Sequence, residues 1–169
     1  MEPQIALDVG CFELDSSGGK PLEALMPPVF RVQLVREQAV ERVQLEGPRD
    51  VAQIIAHYLE DEDREHFVTM MLDVRNRVIG IHTVSIGTLN ASLVSAREVF
   101  KAAILCNAAS IILAHNHPSG DLTPSPEDLQ VTERLKKAGD LLDIDVLDHV
   151  IVGEAGSFCS LKTSGRFPS

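Results

Sequence analysis

The segment of this chain that most restricts its fold is His115-Asn116-His117-Pro118-Ser119-Gly120-Asp121-Leu122-Thr123-Pro124-Ser125-Pro126-Glu127-Asp128. A short apolar run, Ser110 to Ala114, leads into it with the length of a buried strand. Prolines and a glycine then hold the chain in a fixed loop, and Ser125-Pro126 reads as a helix start, serine as N-cap and proline at the first helical position. The period-two alternation of a strand places His115 and His117 on one side. Asp128, in the first helical turn, can swing back toward them. Two imidazoles and a carboxylate are the ligand set of a catalytic zinc, in which three protein groups leave one tetrahedral position open. His115, His117 and Asp128 are therefore the expected metal ligands, with one Zn2+ per chain. Ser125, held at the helix start, is placed to donate a hydrogen bond to a developing oxyanion. Each piece also has a plainer reading. Ser125-Pro126-Glu127-Asp128 is a capping box in its own right, and isolated His-x-His pairs are common. The combined spacing at a strand-to-helix junction favours the metal.

The remaining pattern is that of one α+β domain. Phe30, Val32 and Leu34 alternate as in a strand, and Gly47-Pro48 opens a helix with Val51, Ile54, Ile55, Tyr58 and Leu59 on one face. His66 to Leu72 and Val78 to Ile86 read as a hairpin around the polar turn Asp73 to Arg77. Ala96 to Asn107 reads as a helix, as does Pro126 to about Leu142, and strands follow near Val146 to Val152 and Phe158 to Leu161. Hairpins occur and strict βαβ alternation is absent, so the expectation is a three-layered mixed sheet flanked by helices. Residues 1–28, with Ser16, Ser17, Gly18, Gly19, Pro21, Pro27 and Pro28, read as a flexible leader, and 29–169 as the domain. Met26 is a second plausible translation start.

Composition narrows the partners. The chain has 169 residues, of which 44% are hydrophobic, enough for one core. Its formal net charge of -10 disfavours non-specific nucleic-acid binding. Cys11, Cys106 and Cys159 lie far apart and form no Cys-x-x-Cys pair, which fits a reducing cytoplasm. The N-terminus does not read as a signal peptide, and Ala102 to Ala114 is too short to span a bilayer, so no membrane role is expected. Cys106 reads as a small core residue. His57, His66 and His82 read as structural or exposed, and Asp148-His149 as a buried hydrogen-bonded pair supporting the sheet. The zinc-deaminase pattern is absent, since residue 117 is His where Glu is needed and no cysteine pair follows. No His-Glu-x-x-His or phosphate-cradling glycine loop occurs either.

The spacing of two histidines, serine and aspartate is the JAMM signature of the MPN metallopeptidases, and Glu65 to Leu161 closely resembles their RadC-like branch. Further carriers of the resemblance are Leu72-Asp73-Val74-Arg75-Asn76-Arg77-Val78-Ile79, Gly87-Thr88-Leu89-Asn90, Arg97-Glu98-Val99-Phe100 and Leu147-Asp148-His149-Val150-Ile151-Val152-Gly153. The resemblance implies a cytidine-deaminase-like JAB/MPN fold, zinc on His115, His117 and Asp128, and hydrolysis of peptide or isopeptide bonds in a peptide or protein substrate. It also implies an upstream glutamate as general base; Glu65 is the best positional match, with Glu98 as competitor. RadC proteins look to carry a helical, DNA-associated region ahead of this domain, and the short leader here makes a DNA role a weaker expectation. The alternative to a hydrolase is a non-catalytic zinc-containing interaction module, associated with DNA repair or mobile elements, in which the metal staples the loop to the sheet.

Overall fold

The computed structural model describes residues 43–60, 62–87 and 94–169. The expected leader, the strand through Phe30, Val32 and Leu34, Cys11, Met26 and Thr88 to Asn90 lie outside the described residues. Three helices and five strands follow in the order α1 (Pro48–Tyr58), β1 (His66–Leu72), β2 (Val78–Ile86), α2 (Ala96–Leu105), β3 (Ser110–Asn116), α3 (Pro126–Leu142), β4 (Asp145–Val152) and β5 (Phe158–Ser160), with a one-turn 3-10 helix at Glu154–Gly156. No helix among them is long and apolar enough to cross a membrane.

Local chemistry sets the boundaries. Asp50 accepts the backbone N–H of Gly47 at 3.1 Å and closes the first turn of α1 behind Pro48. In the β1–β2 hairpin the Asp73 carboxylate accepts the N–H groups of Arg75 and Arg77 at 2.9 and 3.1 Å, while Asn76 takes the left-handed conformation at φ 56°. Helix α2 stops before Asn107, also left-handed at φ 51°, and α3 stops at Asp143, φ 54°.

The strands form one mixed sheet in the order β2-β1-β3-β4-β5. Strand β1 runs antiparallel to both β2 and β3, β3 is parallel to β4, and β5 returns antiparallel along β4. Helix α3 makes the crossover that a parallel pair requires. Both faces are covered, so β1 is buried throughout and reads as a continuous apolar run. Val51, Ala52 and Ile55 of α1, with Leu59 at its C-cap, pack with Val68, Met70, Leu72, Ile112, Ala114, Val150 and Val152. Val99, Phe100 and Ala103 of α2, with Val131 and Leu135 of α3, pack with Phe67, Met71, Ile111, Leu113 and Val146 on the other face. The fold is thus the expected three-layered α+β arrangement, a mixed sheet with helices on both faces. Cys106 is half-buried at the edge of this second core, its Sγ 3.5 Å from Sδ of Met71.

One irregularity determines what faces what. Ile111 pairs with Val146, but Ile112 pairs with Asp148, so Leu147 is an extra residue in β4. A bulge of this kind reverses the alternation beyond it. Val146 lies in the core under α2 and α3, whereas Val150 and Val152 lie in the core under α1. The same reversal brings His149, paired with Leu113, onto the face that carries Leu113 and His115.

Gly139 sets how closely α3 approaches the sheet. A Cβ there would meet the carbonyl oxygen of Ile144 at 2.5 Å, Val146 Cγ2 at 3.1 Å and Phe100 Cζ at 3.3 Å. A glycine inside a helix ordinarily costs about 1 kcal/mol relative to alanine. Here the sign inverts: Gly139→Ala is expected to destabilise by roughly 1–3 kcal/mol through overpacking, read as a lowered urea midpoint at unchanged slope.

Candidate metal centre

His115 ends the buried part of β3, and His117 stands one residue beyond the strand, where its N–H still continues the ladder to Val152 O at 3.1 Å. The chain then turns: Gly120 N–H donates to His117 O at 2.9 Å, with Pro118 second in the turn and Gly120 left-handed at φ 75°. This turn carries the carbonyl of Asp121 back onto the ring of His117, which hydrogen-bonds it through Nδ1. At the start of α3 the capping box is formed. Ser125 Oγ accepts Asp128 N–H at 3.1 Å, and Asp128 Oδ2 accepts Ser125 N–H at 2.7 Å.

The two oxygens of Asp128 are placed differently. While Oδ2 closes the cap, Oδ1 lies 3.5 Å from His115 Nε2 and is buried without a hydrogen-bond partner. His117 Nε2 is 2.9 Å from His115 Nε2 and 3.8 Å from Asp128 Oδ2. Among the described residues, Glu65, His115, His117 and Asp128 form a cluster that could hold a metal ion, each offering one ligand atom and all within 4.8 Å of one another. His115 and Asp128 are buried, Glu65 and His117 half-buried, so the cluster is closed behind and open in front.

The ring tautomers follow from the hydrogen bonds. The carbonyl of Asp121 can only accept, so His117 donates from Nδ1 and its neutral ring has a lone pair on Nε2. For His115 the assignment runs through a relay. Thr132 Oγ1 donates to the carbonyl of Asp128 at 2.6 Å and therefore accepts from His149 Nδ1, also at 2.6 Å. His149 then presents an unprotonated Nε2, to which His115 donates from Nδ1 at 2.8 Å. The Nε2 lone pair of His115 is thus turned toward the site. Two imidazole lone pairs and a carboxylate converge with no protein proton between them, an arrangement that a cation resolves.

Burial keeps the His115 and His149 rings neutral. It is the largest influence on His115, which is lowered to about 4 from its ordinary 6.5; Asp128 opposes the shift and His117 adds to it. His149 is lowered well below 6.5, by burial first and then by His115 and His117. Phe67 stacks on His115, ring centroids 6.2 Å apart, and meets His149 edge-on at 5.5 Å, supplying apolar surroundings.

The two candidate glutamates separate. Glu65 belongs to the cluster, whereas Glu98 does not: it lies in the first turn of α2 and pairs with Lys101 at 2.6 Å. Asp148 and His149 form the expected buried hydrogen-bonded pair, but through the backbone of His149 and not through its ring. Asp148 accepts from the backbone N–H of His149, from Lys162 N–H and from Ser160 Oγ, while the His149 ring bonds His115 and Thr132. The bulge at Leu147 is the reason, since it turns the His149 ring toward the cluster. Of the other histidines, His66 is buried with Nδ1 3.1 Å from Arg64 O, His57 is exposed beside Glu60, and His82 is half-buried. Sequence reasoning missed Thr132, the relay role of His149, and Asn116. The i+4 spacing of Thr132 from Asp128 was the one available signal.

Residues 45–166 match the RadC-like JAB domain. The chain belongs to that family. It is 52% identical over 127 residues to the UPF0758 protein of Desulforamulus reducens, covering 75% of this chain and 56% of that one. It is 54% identical over 123 residues to the UPF0758 protein of Moorella thermoacetica, 73% and 53% covered. With that of Methanosarcina mazei it shares 44% identity over 149 residues, 87% and 65% covered. The chain therefore spans about half to two thirds of the length of these relatives.

Two outcomes are expected of this RadC-like domain. Below pH 6.5 the unfolded chain protonates His115 and His149, which the metal-free native state resists, so native stability falls with pH down to about 4, where His115 itself protonates. His115 alone accounts for roughly 3 kcal/mol across that window, measurable from urea midpoints of metal-free protein. Thr132→Val keeps the side chain's shape but removes the relay hydroxyl; metal affinity should fall about tenfold in chelator competition.

Proposed function

We propose that this chain is a zinc-dependent hydrolase of JAMM type, cleaving a peptide or isopeptide bond in a peptide or protein substrate. His115, His117 and Asp128 hold the ion, Glu65 moves the proton, and Ser125 assists at the carbonyl oxygen. The observation that carries this reading is the convergence of two imidazole lone pairs and the partnerless Oδ1 of Asp128, with Glu65 at the open side. Nitrogen and oxygen donors suit zinc, and three of them leave a position open for chemistry. When bound, zinc polarises a carbonyl and lowers the pKa of water to roughly 7.

The remaining work falls to side chains of this chain. Glu65 accepts the proton of the attacking water and returns it to the leaving nitrogen. Ser125 Oγ uses a lone pair to accept Asp128 N–H, which leaves its own hydrogen to donate as charge develops on the substrate oxygen. A cleft of about 710 Å³ runs past His117 and Pro118, and a hollow of about 300 Å³ is lined by Arg64, Glu65, Gly87 and Pro118. The larger cleft is lined by Glu60, Glu62, Asp63 and Glu154 and, among the described residues, by no lysine or arginine. Its field disfavours a phosphate backbone and suits a neutral or basic polypeptide segment.

A second reading rests on the same cluster. With four groups within reach, Glu65 could be a fourth ligand, which would close the site and make the metal a structural staple. Two variants separate the readings. His117→Ala should lose the roughly one zinc per chain that the parent retains, read by elemental analysis of protein purified without added metal. Glu65→Gln should retain zinc while turnover of an isopeptide or peptide substrate falls by 100-fold or more, on the order expected for loss of a general base. Loss of zinc in Glu65→Gln would replace the hydrolase with the staple.

A further inference from the structure

The residue between the two histidines points away from them, and its contacts concern Glu65. The backbone ladder between β1 and β3 ends at the pair Phe67 and His115. One step further the side chain of Asn116 takes over. Its Oδ1 accepts the backbone N–H of His66 at 2.7 Å, and its Nδ2 donates to the backbone carbonyl of Arg64 at 2.8 Å. Glu65 is the residue bracketed by these two bonds, and its own carbonyl accepts Gly87 N–H at 2.8 Å. Strand alternation places Glu65 on the same face as Phe67, which stacks on His115.

We propose that Asn116 is a positioning residue that fixes Glu65 against the metal cluster by acting as a surrogate peptide group between the ligand strand and β1. The proposal rests on the reading of Glu65 given above. Its chemistry is specific to the amide, because one planar group must offer an acceptor to an N–H and a donor to a C=O on the same neighbouring strand. Aspartate has the same shape but turns a second acceptor toward the Arg64 carbonyl; alanine leaves both backbone groups to solvent. Because Asn116 is flanked by His115 and His117, its amide couples the ligand strand to the backbone on both sides of Glu65, beyond the point where the ladder ends.

The test uses the full chain loaded with Co2+, whose visible spectrum reports the electrostatic surroundings of the ion without any substrate. The pH midpoint of that spectrum is compared for the parent, Glu65→Gln, Asn116→Ala, Asn116→Asp and the double variant Asn116→Ala with Glu65→Gln, at matched cobalt stoichiometry and with circular dichroism to confirm folding. Removing the Glu65 charge should move the midpoint by about one pH unit. Asn116→Ala should move it in the same direction by at least about half as much and add nothing in the Glu65→Gln background; Asn116→Asp, which brings a charge of its own, is read as the difference between its shifts in the parent and Glu65→Gln backgrounds. An undiminished effect of Asn116→Ala in that background, or no effect in either Asn116 variant, overturns the positioning role while leaving Glu65 as base. A silent Glu65→Gln overturns the base reading and this inference with it. Should Asn116→Ala fail to fold, the isosteric Asn116→Asp decides alone, paired with its own double variant.

Discussion

The centre of this structure is a group of acceptors with no protein donor among them. His115 Nε2, His117 Nε2 and Asp128 Oδ1 face one another because the proton of each ring is held at Nδ1, by the carbonyl of Asp121 for His117 and by the ring of His149 for His115. Asp121 O takes the Nδ1 proton of His117, and Asp128 O, acting through Thr132 and His149, directs that of His115. Such a cluster is unfavourable unless a cation enters, and the protein spends structure on keeping it so. Two buried imidazoles are held neutral, and a buried carboxylate oxygen is left without a partner.

Asp128 shows how little chain is needed to build this. Its Oδ2 closes the N-terminus of α3, its Oδ1 faces the histidines, and its backbone carbonyl anchors the relay. The helix N-terminus also favours the negative charge. Cap, ligand and relay are therefore one mechanical unit, and α3 cannot shift without disturbing all three. The close approach at Gly139 keeps the other end of the same helix pressed to the sheet.

The site sits at the open end of a central strand pair. Strands β1 and β3 run antiparallel, so the residues before β1 meet the residues after β3. That topology brings Glu65 to two histidines some fifty positions away, and the amide of Asn116 holds the junction where backbone pairing stops. The rear of the cluster is apolar because Phe67 packs on both buried rings, whereas Glu65 and His117 are only half-buried.

Much of this was legible in the sequence because it is local. The hairpin at Asp73 to Arg77, the extent of α3, its Ser125 cap and the nearness of His115, His117 and Asp128 all depend on residues a few positions apart, where period and capping chemistry operate directly. What tertiary structure decided is non-local. The alternation in β4 is reversed by a bulge at Leu147 whose cause is the pairing with Ile111 and Ile112, and no periodicity within Leu147-Asp148-His149 reveals it. That one residue aims the His149 ring into the relay behind His115, while its backbone N–H stays on Asp148. The choice between Glu65 and Glu98 likewise depended on strand pairing: both are acids near helix or strand starts, and only β1 returns beside β3. Hydrogen-bond direction was the last thing withheld, since a ring's tautomer is set by whichever carbonyl the fold places next to it.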